Sequence, residues 1–190
     1  MTNEEKLKEL YDKCKKCTKC ELHNTRTNCV FGKGNPNARV MFVGEAPGEN
    51  EDLQGYPFVG RAGKLLDRFF VAAGISHDNI YIANILKCRP PKNRDPLPSE
   101  EECCIEYLRE QVRIIKPYMI VCLGRIAAQV IIDPNYRITK EHGTWVQKGD
   151  LLLTAVYHPA LLLRDPRKNE EMLKDLVAIK EKIDEMDLKV

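Results

Sequence analysis

"RVMFVGEAPGENEDLQGYPFVGRAGKLLDRFFVAAG" (residues 39–74) is the stretch on which the fold turns. It opens with a short apolar run, 39–44, of the kind buried on both faces of a parallel sheet. It closes on Leu65, Leu66, Phe69, Phe70 and Ala73, which share one helical face, and on Gly74, a helix stop. The loop between carries Glu45, Glu49, Glu51 and Asp52. A loop between strand and helix usually cradles phosphate through backbone N–H groups, and four carboxylates suit that job poorly. The loop also lacks both G-x-G-x-x-G and a GK[ST] ending. Three readings stay open: a carboxylate site for Mg²⁺, a solvated acidic turn, or hydrogen-bonding groups for a neutral polar ring stacked on Phe58.

Outward from this stretch the pattern repeats. Residues 79–86, 118–124 and 151–158 are further apolar strands, and 142–150 reads as a hairpin arm feeding the last of them. Ile105, Leu108, Val112 and Ile115 mark a helix that a Ser99–Glu102 capping box would open. Residues 124–132 give a third helix, and Met172, Leu176, Ile179, Ile183 and Met186 a closing one. The order β-α-β-α-β-α-β predicts a three-layer α/β/α domain around a central, mainly parallel four-stranded sheet.

The chain has 190 residues, enough for one sizeable core and too few for two, so residues 1–190 are read as a single domain and a monomer. A net charge of +2 excludes a protein coated in positive charge, although basic residues bunch at 13–19, 87–94 and 164–168. The charged start "MTNEEKLKEL" and the lack of any long apolar run point to a cytoplasmic protein with no membrane segment. Eight cysteines in a reducing compartment point to a metal or cluster site before disulfides.

The unusual sequences "GEAPGENED", "NILKCRPPKNRDPLP" and "YHPALLLRDP" all follow strands, which places them at the carboxyl edge where open α/β sheets bind ligands. Asn84 there offers both donors and an acceptor, as an amide-like ring edge requires; an Asn tying a turn is an equally common reading. His158, alone of four histidines at a strand's carboxyl end, is a candidate acid or hydrogen-bond donor to a leaving group. "LLLRDPRKN" sets leucines beside cations, the build of a wedge that opens a duplex, with at least one leucine packed inside.

Cys14, Cys17 and Cys20 form C-x2-C-x2-C, and Cys88 and Cys104 lie far along the chain. Two adjacent and two distant thiolates suit Zn²⁺ or a [4Fe–4S] cluster equally on spacing. Either would staple the N-terminal segment to residues 88–104. Free thiols are the plain account of Cys122, inside a strand.

Together these motifs resemble the family 4, iron–sulfur, uracil-DNA glycosylases. The resemblance runs from about Cys17 to Arg164 and rests on "FGKGNPNARVMFVGEAPGENED", "PFVGRAGKLLD", "NILKCRPPKNRDPLP" and "YHPALLLR" in order. It implies a three-layer α/β fold, a [4Fe–4S] cluster on Cys17, Cys20, Cys88 and Cys104, and uracil-containing DNA, single- or double-stranded, as substrate. Cys14 and Cys103 are the near competitors for ligand positions. The resemblance puts uracil against Glu45, Ala46 and Pro47, stacked on Phe58, bound at its edge by Asn84 and at O2 by His158. Ala46 stands where another branch of the superfamily carries a water-activating Asp, so Glu51, then Glu45, are the candidates for handling water. Arg61, Arg94, Leu163 and Arg164 are the expected backbone and wedge contacts. "KNRDP" has no histidine to capture the abasic product, which implies ordinary turnover in base excision repair. "EHG" (141–143) departs from the basic residue expected before this glycine. The rivals are a non-enzymatic iron–sulfur DNA-binding or redox module, and a glycosylase with another base preference.

Overall fold

A computed structural model describes residues 1–187. Strands β1 (Lys33–Gly34), β2 (Val40–Gly44), β3 (Ile80–Asn84), β4 (Met119–Leu123), β5 (Val146–Lys148) and β6 (Leu151–Val156) form one sheet in the order β1-β3-β2-β4-β6-β5. The four inner strands are parallel and each lies within an apolar run read from the sequence. The antiparallel edges β1 and β5 raise the expected four strands to six. β5 is the hairpin arm expected within 142–150, and β1, two exposed residues long, has no apolar run to announce it.

Helices α1 (Asn3–Lys15), α2 (Glu49–Gln54), α3 (Arg61–Ala73), α4 (Pro98–Ile115), α5 (Arg125–Ile131), α6 (Ile138–Glu141), α7 (Pro159–Arg164) and α8 (Asn169–Asp187) flank it. Alternation along the strands divides the interior in two. Val40, Phe42, Ile80 and Ile82 pack with Leu66, Phe70, Leu162, Met172 and Leu176 of α3, α7 and α8. Met41, Val43, Tyr81 and Ala83 pack on the other face with Leu7, Cys14, Cys104, Leu108 and Ala127.

Two sequence expectations are corrected. The helix read from Ile105 onward starts at Pro98, and the cap is not Ser99: Glu100 reaches back to accept from Leu97 N at 2.9 Å. Pro98 supplies the fixed φ that favours the first helical position, which moves the cap from Ser99 to Leu97, two residues earlier. Helix α1 had no place in the sequence reading, because it buries only Leu7 and Cys14 and its apolar stripe is too thin to read.

β2 leads to β3 on one side and β3 returns past it to β4 on the other, so the strand order reverses between β2 and β4. Loops leaving two such strands diverge and open a crevice at their carboxyl ends.

Candidate active site

Gly44 ends β2 and Asn84 ends β3 at that crevice, side by side in register. A Cβ built on Gly44 would lie 2.5 Å from Asn84 Oδ1 and 2.6 Å from the tip of the Phe58 ring, so the bare glycine lets these two side chains meet. Asn84 is 2% exposed and its Oδ1 has no hydrogen-bond partner. A buried unpaired carbonyl costs roughly 1–3 kcal/mol unless a ligand satisfies it. Phe58 holds a left-handed backbone, φ 54°, unusual for an aromatic residue. Its carbonyl fills the space where a side chain on Gly63 would stand, 1.9 Å from such a Cβ, so α3 clamps the strained residue from behind.

His158 faces Phe58 with ring centroids 5.8 Å apart. It caps α7, its Nδ1 accepting from Ala160 N at 3.1 Å, so the proton of the neutral ring sits on Nε2. Burial, then the Arg164 charge, push its pKa down to about 4. Gly124, after β4, carries φ 92° and would bring a Cβ within 2.8 Å of His158 Cβ, so the crevice wall is glycine on this side too.

The acidic loop separates into distinct roles. Asp52 is buried and accepts from Thr27 N (2.9 Å) and Asn28 N (3.2 Å), a structural clasp. Glu51 Oε1 accepts from Gly60 N at 3.2 Å and ties α2 to the start of α3. Glu49 is exposed. Glu45 has no hydrogen bond to its carboxylate among the described residues; burial, then Asp95, raise its pKa to about 7 against the opposing pull of Arg125. Ala46 is half-buried and Pro47 buried beside it.

Of the expected DNA-contacting residues, Arg61 is exposed in the first turn of α3, and Leu163 and Arg164 are exposed while Leu162 is buried. Arg94 grips Glu100 through both nitrogens, at 2.8 and 2.9 Å, and so braces the Pro-rich loop. His142 turns inward, its Nδ1 2.6 Å from Asp175 and its Nε2 3.1 Å from Glu171.

On the other face, Cys20 lies within electrostatic reach of Cys17, Cys88, Cys103 and Cys104. Lys87 N donates to Cys104 Sγ (3.3 Å) and Arg26 to Cys88 Sγ (3.2 Å). Burial pushes Cys88 up to about 11 and Cys104 up to about 12, so these thiols lose their protons only to a cation or metal. Among the described residues no three His, Cys, Asp or Glu side chains are drawn in around a single ion. Cys14, the competing ligand, instead meets Cys29 at 3.1 Å between sulfurs.

The family model for the uracil DNA glycosylase superfamily matches residues 31–179. The chain belongs to the uracil DNA glycosylase superfamily. It is 46% identical to the type-4 uracil-DNA glycosylase of Archaeoglobus fulgidus over 93% of either chain, and 45% identical to that of Thermotoga maritima over 89% of this chain and 88% of that one. The type-4 enzyme of Sulfurisphaera tokodaii is 44% identical over 95% and 85%.

Within this superfamily member the structure brings Gly44, Phe58, Asn84, Gly124 and His158 to one crevice. Sequence reasoning missed the glycines at 44, 63 and 124, whose role is to be absent where rings and carbonyls must pass. It missed Cys29, which carries no motif spacing. A groove of about 490 Å³ also lies at the opposite, amino edge of the sheet, lined by Arg39, Asn79, Tyr118, Lys180 and Asp187. Arg39 and Asp187 there satisfy each other at 2.6 Å, and none of the orphaned buried polar atoms among the described residues belongs to its lining. No helix among the described residues is long and apolar enough to cross a membrane.

Proposed function

We propose that this chain, acting as a single domain, is a uracil-DNA glycosylase that accepts a flipped-out deoxyuridine and hydrolyses its N-glycosidic bond. The products are free uracil and an abasic site. The observation that carries this reading is the unpartnered Asn84 Oδ1, buried at the strand end beside the Phe58 ring and the His158 imidazole. The chain's similarity to the type-4 uracil-DNA glycosylases of Archaeoglobus fulgidus and Thermotoga maritima supports it.

Phe58 stacks on the uracil ring, while Asn84 Oδ1 accepts from N3–H and its amide donates to O4. This pairing selects uracil over cytosine, whose N3 is an acceptor. His158, neutral with its proton on Nε2, donates to O2 and stabilises the anion as the bond to C1′ breaks. A neutral donor fits a leaving group that departs as an anion and needs no full protonation. Glu45, unencumbered by hydrogen bonds, is the carboxylate that faces the cationic sugar and orients water. Glu51, the first candidate from sequence, holds the Gly48–Gly60 loop in place around it. Water adds its oxygen to C1′ and the proton leaves with uracil or to solvent.

Leu163 fills the gap left by the flipped base, and Arg61 and Arg164 meet phosphates. Arg94 reaches a phosphate only by sharing its guanidinium with Glu100. Cys17, Cys20, Cys88 and Cys104 would hold a [4Fe–4S] cluster, which pins the N-terminal segment to α4 and the Pro-rich loop. The donor set fits this group: Cys20 lies within electrostatic reach of Cys17, Cys88 and Cys104, and N–H donors are already aimed at two of the sulfurs. The working compartment is the cytoplasm and the working form a monomer.

The test is incubation with single- and double-stranded oligonucleotides containing uracil, followed by alkali to cut at abasic sites, and assay of acid-labile iron. Strand scission at uracil is expected on both substrates. Iron with untouched uracil would favour a binding or redox module, and cleavage at hypoxanthine or at thymine opposite guanine a different base preference.

A further inference from the structure

We propose that Cys14 and Cys29 form a reversible, peroxide-induced disulfide that locks the segment bearing Cys17 and Cys20. The two sulfurs approach to 3.1 Å, closer than uninvolved sulfurs pack, and both side chains are buried. Neither residue belongs to the four-thiol set, and nothing in the base chemistry uses them. Cys14 lies in the last turn of α1, and Cys29 in the loop that Val30 N ties to Lys87 O at 2.7 Å. Arg26 bridges the same two segments by donating to Lys15 O at 2.8 Å. The sulfurs are therefore held together by backbone on both sides.

The two thiols are unequal, which gives the reaction its direction. The sulfur–sulfur contact with Cys14, with Lys87 and Arg26 nearby, holds the Cys29 thiol below its ordinary range. Cys29 is the better nucleophile of the two. Its sulfur attacks one oxygen of a hydroperoxide, the O–O bond breaks, and water or an alcohol leaves, so that Cys29 becomes a sulfenic acid. The sulfur of Cys14 then attacks the Cys29 sulfur and displaces water, giving the disulfide. Two thiols and one hydrogen peroxide thus yield one disulfide and two waters. A dithiol reductant reverses the bond by exchange.

The bond would close a loop that contains Cys17 and Cys20, tying the end of α1 to the segment that Val30 holds against Lys87. The proposal is independent of the glycosylase reading and fails or stands without an activity assay. Holoprotein is treated with increasing hydrogen peroxide, alkylated, and digested with trypsin without reduction. Lys13, Lys15, Lys16, Lys19, Arg26 and Lys33 place Cys14, Cys17, Cys20 and Cys29 on separate peptides, so each linkage has its own mass.

The expected result is a cross-linked Cys14–Cys29 peptide, two hydrogens lighter than its parts, that appears with peroxide and disappears with dithiothreitol. Cys29→Ser should lose it, and Cys122→Ser should keep it. Full alkylation of Cys14 and Cys29 at peroxide doses that oxidise other cysteines would overturn the proposal. So would linkage of Cys14 to Cys17 or Cys20 instead. The wild-type map decides even if Cys29→Ser fails to fold.

Discussion

Gln111 and Asn84 are both buried carboxamides, and they differ in one respect. Gln111, in α4, is fully buried and fully paired: its Oε1 accepts from Lys87 Nζ at 2.7 Å, and its Nε2 donates to Phe31 O at 2.9 Å and Tyr81 OH at 3.3 Å. Asn84, at the crevice, is 2% exposed and its oxygen has no partner. Lys87 Nζ lies between them, donating to Gln111 Oε1 and to the main-chain carbonyl of Asn84 at 3.0 Å, not to its side chain. Burial with pairing marks a group that holds the fold together. Thr154 Oγ1 and Asn169 Oδ1 are also buried without a partner, but Asn84 Oδ1 is the one set at the crevice beside Phe58, where a ligand can satisfy it.

The largest expected effect lies on the crevice side. His158→Ala should lower the rate of uracil release by about 10²–10³-fold, the usual scale for a lost anion-stabilising donor, with an unchanged far-UV spectrum. Wild-type activity in that variant would remove His158 from the reaction. Asn84→Ala should cost on the order of 10²-fold in kcat/KM while moving the unfolding free energy by less than about 1 kcal/mol, since no native hydrogen bond of its side-chain oxygen is lost.

Gln111→Ala should behave the opposite way. It leaves Phe31 O unpaired and the buried Lys87 ammonium short of an acceptor, a loss of roughly 2–3 kcal/mol by denaturant titration. A Gln111 variant as stable as wild type, or an Asn84 variant far less stable, would break the contrast between the two amides.

The fourth expectation concerns pH. Glu45 has its pKa raised to about 7, first by burial and then by Asp95, so the ionised form that faces the sugar appears only as pH rises through about 7. The rate should climb on that limb, and Glu45→Gln should flatten it. In stability the sign is reversed: a carboxyl raised above its unfolded value stabilises most below the ordinary carboxylate range, and loses that contribution as pH rises through about 7. His158, neutral above about pH 4, should add no limb near neutrality. A profile flat from pH 6 to 8 would exclude Glu45. The smallest effect should be at Leu163→Ala: a few-fold loss on duplex substrate and none on single strands, because only a duplex leaves a gap to fill. Equal loss on both would make Leu163 a general contact rather than a wedge.

The four inner strands were legible because parallel strands buried on both faces must be apolar throughout, and four such runs stand out at 39–44, 79–86, 118–124 and 151–158. Asn84 and His158 were legible because strand ends at the carboxyl edge are positions of known meaning. The acidic loop was not. Asp52 reads as one of four similar carboxylates, yet it is a buried clasp for Thr27 and Asn28, and only partners 24 and 25 residues away reveal that. Arg94 reads as a DNA-backbone contact and His142 departs from the basic residue expected there, and the structure gives them to Glu100 and to Asp175 and Glu171.

The sequence by itself determined the layer order and the edge where the loops converge, because these follow from local periodicity and from motifs at strand ends. Only the tertiary structure decided which polar groups are spent and which are left over. Pairing is a property of neighbours brought together across the sheet: Gly44 makes room for Asn84 and Phe58, Gly63 locks Phe58 in its strained backbone, and Cys14 finds Cys29 instead of a metal. No spacing along the chain encodes those meetings.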